Sequence, residues 1–230
     1  MSTGMWRDSD GHVLSDYDQP SVAVDVAVLT YSDEQLRVVV VERPDGALVL
    51  PGAFLHIRER LAEAAARALL KADLSGVDFR QLAVFDDPDR DDRGWVLSVG
   101  HMAAMPLTEL PADARLVDVV EGAVTESLLF DHALIVERAV QVLREQYGGA
   151  VDPNGLCGRQ FTVLELRRLY EAVFGHPLPK DSFRRYVQHH LEDTGEVNSD
   201  VVGRPAAVFR GKVDSPLPPA ARSFFLTGGR

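Results

Sequence analysis

Two valine-rich segments set the first constraint on this chain. Ser21–Tyr31, SVAVDVAVLTY, alternates in part, and Leu36–Glu42, LRVVVVE, carries four valines in a row. β-Branched side chains are already restricted about χ1 and pack well on a pleated surface, so both segments read as strands. Ser32-Asp33-Glu34 is the turn between them. An unbroken run such as Val38–Val41 points side chains to both sides of a strand, so the second strand is expected to be covered on both faces. Asp45-Gly46 marks a further turn. Leu48–Leu50 then leads into LPGAFLHIRERLAEAAARALLKADL, residues 50–74.

In that stretch Leu61, Ala65, Ala68 and Ala72, with Leu69 beside them, recur at helical spacing. Phe79–Phe85 and Gly94–Met102 read as strands on either side of the charged run DDPDRDDR. Leu129, Ala133, Val136, Val140 and Leu143 predict a long helix over Glu126–Tyr147. Gly148–Gly158 holds four glycines with Pro153 and Asn154, which places a linker there. The expected organisation is a loosely draped tail over 1–20, a front domain over 21–150 that includes the long helix, and a back domain over 156–230. A chain of 230 residues accommodates two modest domains.

The back domain has a compact pattern. Thr162 followed by Glu165 forms a capping box for a first helix, with Leu164, Leu166, Leu169, Tyr170 and Val173 on its apolar face and Gly175 at its end. After HPLPK, Asp181 or Ser182 starts a second helix, expected to reach Leu191 and to be closed by Gly195. Val197–Val202 and Ala206–Arg210 read as two short strands around Gly203-Arg204-Pro205. Helix, turn, helix and hairpin together outline a winged helix-turn-helix, whose second helix enters the major groove of DNA. Phe183, Tyr186 and Val187 would pack that helix, which leaves Arg184, Arg185, Gln188 and His189 to face bases, Lys180 and Ser182 to meet phosphates, and Arg204 at the wing tip. The bland alternative is a protein-interaction module with a solvated basic face.

Charge supports the DNA reading only when it is divided along the chain. Net charge is −11, but residues 156–230 carry +3 and residues 1–155 carry −14. An acidic front and a mildly basic back are expected when only the back meets a polyanion. So small a positive charge implies two copies on a palindromic operator, hence a homodimer. No apolar run approaches a membrane span. The polar start lacks a secretory pattern, and the single cysteine, Cys157, allows no intrachain disulfide. A cytoplasmic location is the expectation.

Residues 50–74 resemble the Nudix box, the loop-helix-loop signature of pyrophosphohydrolases. Aligned on Leu50-Pro51-Gly52, its first glutamate falls on Glu59 and its arginine on Arg67. Its three further glutamates fall on Ala68, Lys71 and Ala72. Pyrophosphate hydrolysis needs divalent cations, and magnesium needs oxygen ligands; two methyl groups and an ammonium supply none. No resident metal, no cofactor and no hydrolysis are therefore expected. Other stretches resemble the Nudix-related transcriptional regulators: DPDRDDRGWVLSV from Asp87 to Val99, SLLFDHALIVERAVQVLRE, FTVLELRRLYEAVFGHPLPKDSFRRYV and GRPAAVFR. That resemblance implies an α+β chain, a Nudix-like α/β/α sandwich with a mixed sheet followed by a winged helix. It also implies a repressor whose front domain senses a nucleotide such as ADP-ribose. Arg43, Arg90 and Arg93 can meet a pyrophosphate, because guanidinium forks match phosphate oxygens. Trp95 can stack on a base, and Glu59 completes the candidate effector set. The competing readings are that Arg90 and Arg93 only balance the surrounding aspartates and that Trp95 belongs to the core. For the whole chain the alternatives are a hydrolase of an ADP-sugar and a regulator with a purely structural front domain.

Overall fold

The computed structural model of the protein describes residues 6–198 and 205–228. β1 (Ser21–Ser32) and β2 (Gln35–Glu42) form the expected antiparallel hairpin, pairing Leu29 with Val38 and Ser32 with Gln35. They stand at the centre of a mixed sheet with β5 (Arg80–Phe85), β6 (Val96–Ala104), β7 (Arg115–Val120) and β8 (Ala123–Val124) in the order β5-β6-β1-β2-β7-β8. β6 runs parallel to β1, and the other neighbours are antiparallel. Two short strands complete the sheet: β3 (Leu48–Val49) on β2 and β4 (Gly52–Phe54) on β1.

The valine run does what its pattern demands. Val39 joins Val24, Val26 and Val28 in one apolar layer, which is capped by Ala64, Ala65, Ala68 and Leu69 of α1 (Leu61–Leu70). Val38 and Val40 join Ala27 and Leu29 in the opposite layer, which is capped by Ile135, Val136, Ala139 and Val140 of α2 (His132–Tyr147). Helices therefore cover both faces, as the α/β/α reading expects.

Three expectations are corrected. α2 begins at His132, not Glu126. Leu128 bridges Leu48, the Leu129 amide donates to the Leu48 carbonyl, and Phe130 has φ +59°, so residues 126–131 lie alongside β3 instead of coiling. The second helix of the back domain, α4 (Lys180–Val187), is shorter than expected and tightens into a 3-10 turn, Gln188–His190. Gly195 does not close it. With φ +77°, Gly195 sits inside β10 (Leu191–Asn198), where the pairing register shifts between Asp193 and Val197. The first wing strand accordingly starts at Leu191, not Val197.

The back domain otherwise has the expected outline. Thr162 caps α3 (Val163–Phe174) through its hydroxyl and the Glu165 amide, Glu165 returns the bond to the Thr162 amide, and Gly175 ends the helix at φ +79°. β11 (Ala206–Gly211) pairs with β10 and with β9 (Phe161–Thr162). A further helix, α5 (Pro219–Thr227), closes the domain with Phe224 and Phe225. The glycine-rich segment after α2 is folded. Asp152 accepts bonds from the Tyr147 hydroxyl and from the Leu156 and Cys157 amides. The apolar layer under α2 continues through Tyr147, Leu156 and Phe161 into α3, α4 and α5, so one core spans both halves of the chain.

Burial and the neighbouring Asp152 carboxylate push the Cys157 thiol far above its ordinary range. Thiolate is the reactive form. Cys157 is therefore expected to react with iodoacetamide at neutral pH far more slowly in the folded protein than in denaturant. Equal rates in the two states, followed by mass spectrometry, would contradict this.

Candidate functional site

Three stretches far apart in sequence meet at a cleft of about 280 Å³: Val49–Phe54, Arg90–Arg93 and Phe130–His132. The buried Asp25 of β1 ties them together. It accepts from the Ser98 hydroxyl at 2.5 Å, lies 3.4 Å from His132 Nε2 and 3.7 Å from the Arg90 guanidinium. His132 accepts the Leu50 amide on Nδ1 at 2.9 Å. A ring nitrogen that accepts carries no proton, so the imidazole proton sits on Nε2 and faces Asp25. Burial raises the Asp25 carboxyl, but His132, Ser98 and Arg90 outweigh it and hold the group below its usual range. Gly52 belongs to the same arrangement. A β-carbon there would overlap Asp25 Oδ1, so only glycine lets the β4 backbone approach so closely.

The arginines differ in kind. Arg90 is buried and forks onto both carboxylate oxygens of Asp131, with Nε–Oδ2 at 2.8 Å. Arg93 is about half exposed and pairs with the buried Asp91 at 2.6 and 2.8 Å. Its guanidinium lies 4.7 Å from the Phe130 ring centroid and 5.2 Å from that of Phe54. Arg43, just after β2, lies 3.1 Å from Asp45. Lys71, at the end of α1, reaches the Gly52 carbonyl at 3.4 Å.

Of the effector residues expected from sequence, Arg43, Arg90 and Arg93 line the cleft. Trp95 and Glu59 do not. Trp95 is half exposed, belongs neither to the core nor to the cleft, and its carbonyl accepts the Ser21 amide. Glu59 is forked by Arg67 at 2.8 and 2.9 Å, and Arg67 also donates to the Phe54 carbonyl, so the pair pins the 54–59 loop to α1. The Arg67 hydrogen bonds bring the Glu59 carboxyl down to about 2. Its ionised form is thus favoured in the folded state. The support is complete above the ordinary carboxylate range near 4.3 and is lost as pH falls through about 2. In Arg67→Ala, a carbon-detected NMR titration of Glu59 should move toward the ordinary value; an unmoved midpoint would contradict the pairing.

Sequence reading missed Asp25, Phe54, Asp131 and His132. Asp25 did leave a signal: it is the lone carboxylate of β1, set in the apolar run Val22–Leu29. Among the described residues, no group of three or more His, Cys, Asp or Glu side chains is placed to hold a metal ion.

The second candidate surface is α4. Phe183 and Val187 are buried, while Lys180, Arg184, Arg185 and His189 are exposed and Ser182 and Gln188 are partly so. Arg184 Nε donates to Gln188 Oε1 at 3.0 Å, and the Arg185 guanidinium lies 5.5 Å from the Tyr186 ring centroid. Among the described residues neither guanidinium has a carboxylate partner. The wing is braced by Arg210 forking onto Glu192 at 2.7 and 2.9 Å. Arg204 lies outside the described residues.

The model of the NrtR DNA-binding winged helix domain matches residues 154–210. The back domain is thus similar to the NrtR winged helix over those residues. Homology extends along the chain: it is 29% identical over 213 residues to the ADPR responsive transcriptional repressor NtrR of Acinetobacter baylyi, covering 85% of this chain and 84% of that one. Shewanella oneidensis NrtR, solved in complex with a 27mer DNA, superposes with a TM-score of 0.67 at 28% identity, over 88% of this chain and 95% of that one. The front half alone is 29% identical over 128 residues to an ADP-ribose pyrophosphatase of Methanocaldococcus jannaschii, covering 53% of this chain and 73% of the relative. The architecture is thus similar to that of Shewanella oneidensis NrtR, with a Nudix-like domain ahead of the winged helix. Among the described residues no helix is long and apolar enough to cross a membrane.

Proposed function

We propose that this protein is a cytoplasmic, homodimeric transcriptional repressor that binds a palindromic operator through its winged helices. Its Nudix-like domain binds a nucleotide of the ADP-ribose class without hydrolysing it. The observation that carries this reading is the joint placement of an exposed basic α4 and a cleft rimmed by Arg43, Lys71 and Arg93 in one chain homologous to NrtR along most of its length. In the cleft, Phe54 and Phe130 supply the aromatic faces that Trp95 does not, and the guanidinium groups supply phosphate contacts. A ligand that favours one arrangement of the two domains shifts the population of DNA-competent dimers. The core shared by α2, α3 and the sheet gives that shift a physical route.

The relationship to a pyrophosphatase gives the hydrolase reading its one support. Against it stand Ala68, buried in the sheet-facing layer, and Lys71 and Ala72 at the end of α1, none of which can ligate magnesium.

Fluorescence anisotropy with DNA from the upstream region of the gene is the primary test, and salt-sensitive, sequence-selective binding is expected. Arg185→Ala should weaken binding by ~1–3 kcal/mol, or about 5–150-fold, if it reads a base edge. Unchanged affinity in that variant would remove α4 from the interface. Absence of selective binding by the wild type would end the repressor reading.

A further inference from the structure

We propose that the cleft takes its pyrophosphate-bearing ligand without a divalent metal ion, with the Lys71 ammonium as the built-in cation that faces the phosphates. This rests on the effector reading above and specifies how that ligand is held.

Both carboxylates of the cleft are already committed. Asp25 is held by Ser98, His132 and Arg90, and Asp91 is forked by Arg93. Neither is left to build the oxygen cage that magnesium requires. Glu59, the remaining carboxylate of the Nudix box, is bound on both oxygens by Arg67, away from the cleft. The residues present do not fit a magnesium site.

They do fit an anion. Arg43, Lys71, Arg90 and Arg93 line the cleft, and the aspartates beside the three arginines leave the Lys71 ammonium as the charge an anion can meet. Lys71 is the least committed of the four. Arg90 and Arg93 are forked by aspartates and Arg43 lies beside Asp45, whereas the Lys71 partner among the described residues is a neutral carbonyl, that of Gly52, at 3.4 Å. An ammonium has three donors, so it can keep that contact and still bond a phosphate oxygen. Its exposure means that ligand binding displaces little more than water. A dication at the same place would be repelled by the Lys71 ammonium that attracts the ligand.

The test is titration calorimetry of the full chain with ADP-ribose, first in EDTA and then in magnesium chloride. Equal affinity in the two buffers, within about twofold, is expected, because no metal bridges protein and phosphate. Lys71→Ala should weaken binding about ten- to a hundredfold in both buffers, the loss of one charge-assisted hydrogen bond, and Lys71→Arg should retain most of the affinity. Thermal unfolding of Lys71→Ala without ligand should match the wild type, which separates a binding defect from a folding one. Binding that requires magnesium, or undiminished binding by Lys71→Ala, overturns the proposal while leaving the effector reading intact. Absence of binding in either buffer overturns both.

Discussion

Arg90→Ala is expected to destabilise the protein by about 3–5 kcal/mol, whether or not a ligand is present. Arg90 is buried, forks onto Asp131 and stands 3.7 Å from Asp25. Removing it leaves two carboxylates facing each other's neighbourhood without their cation. A buried charge that loses its partner suffers the desolvation penalty with no Coulombic return, which is why breaking such a pair is far more damaging than its net worth suggests. In a chain of this length each kcal/mol lowers the melting temperature by about 2–4 °C. The Arg93→Ala variant is the control. Arg93 is half exposed although its partner Asp91 is buried, so its loss should destabilise less than that of Arg90 while weakening an anionic ligand. Melting curves without ligand decide between the roles. If Arg90→Ala melts like the wild type and only ligand affinity falls, Arg90 is a phosphate contact and the buried network is not what holds the cleft together.

The contrast between Arg90 and Arg93 also shows where sequence stops informing. The two residues sit three apart in DDPDRDDR, among the same aspartates, and nothing in that string separates them. The aspartate that matters to Arg90 is Asp131, forty-one residues on, at the turn before α2. Local pattern carries no information about a partner brought in by tertiary folding. Where a feature was local, it was legible. The capping box at Thr162 and Glu165, the glycine that ends α3, and the two-faced burial of Val38–Val40 all follow from neighbours in sequence. Spacing and caps outlined the winged helix, whereas the outline of the front domain came from the resemblance to the Nudix-related regulators.

The failures have physical reasons too. Leu129 sits at a helical interval before Ala133, but the edge of β3 offered the Leu129 amide a partner outside the helix, and Phe130 took a left-handed conformation to reach it. Gly195 looked like a helix end because glycine permits positive φ. The same permission serves a strand bulge, and sequence does not say which. Trp95 was a plausible base-stacking group by residue type. It sits in the bend just before β6, half exposed and outside the cleft, while Phe54 and Phe130, on a short strand and a turn, do line it. α5 was not read at all, since ARSFFLT is brief and follows three prolines.

That unread helix holds the residue with the other large expected effect. Phe225→Ala should destabilise the winged-helix region by about 3–5 kcal/mol. Phe225 is fully buried, with ring centroids 4.8 Å from Tyr170, 5.5 Å from Phe174 and Phe224, and 5.9 Å from Phe183. It thereby touches α3, α4 and its own helix at once. Truncation removes the apolar area of the ring and leaves a void that neighbouring side chains fill only in part, and edge-to-face pairs of this kind add about 0.5–1.5 kcal/mol beyond area alone. Because Phe183 anchors α4, the exposed Arg184 and Arg185 lose their fixed position before the domain unfolds outright. Operator binding should therefore weaken at temperatures where circular dichroism still reports native helix content. Phe225→Leu keeps most of the volume and should recover much of both losses. Urea unfolding and anisotropy on the three proteins give the answer. Should Phe225→Ala lose less than about 1 kcal/mol and bind DNA normally, α5 is an appendage, and the recognition helix is held by α3 alone.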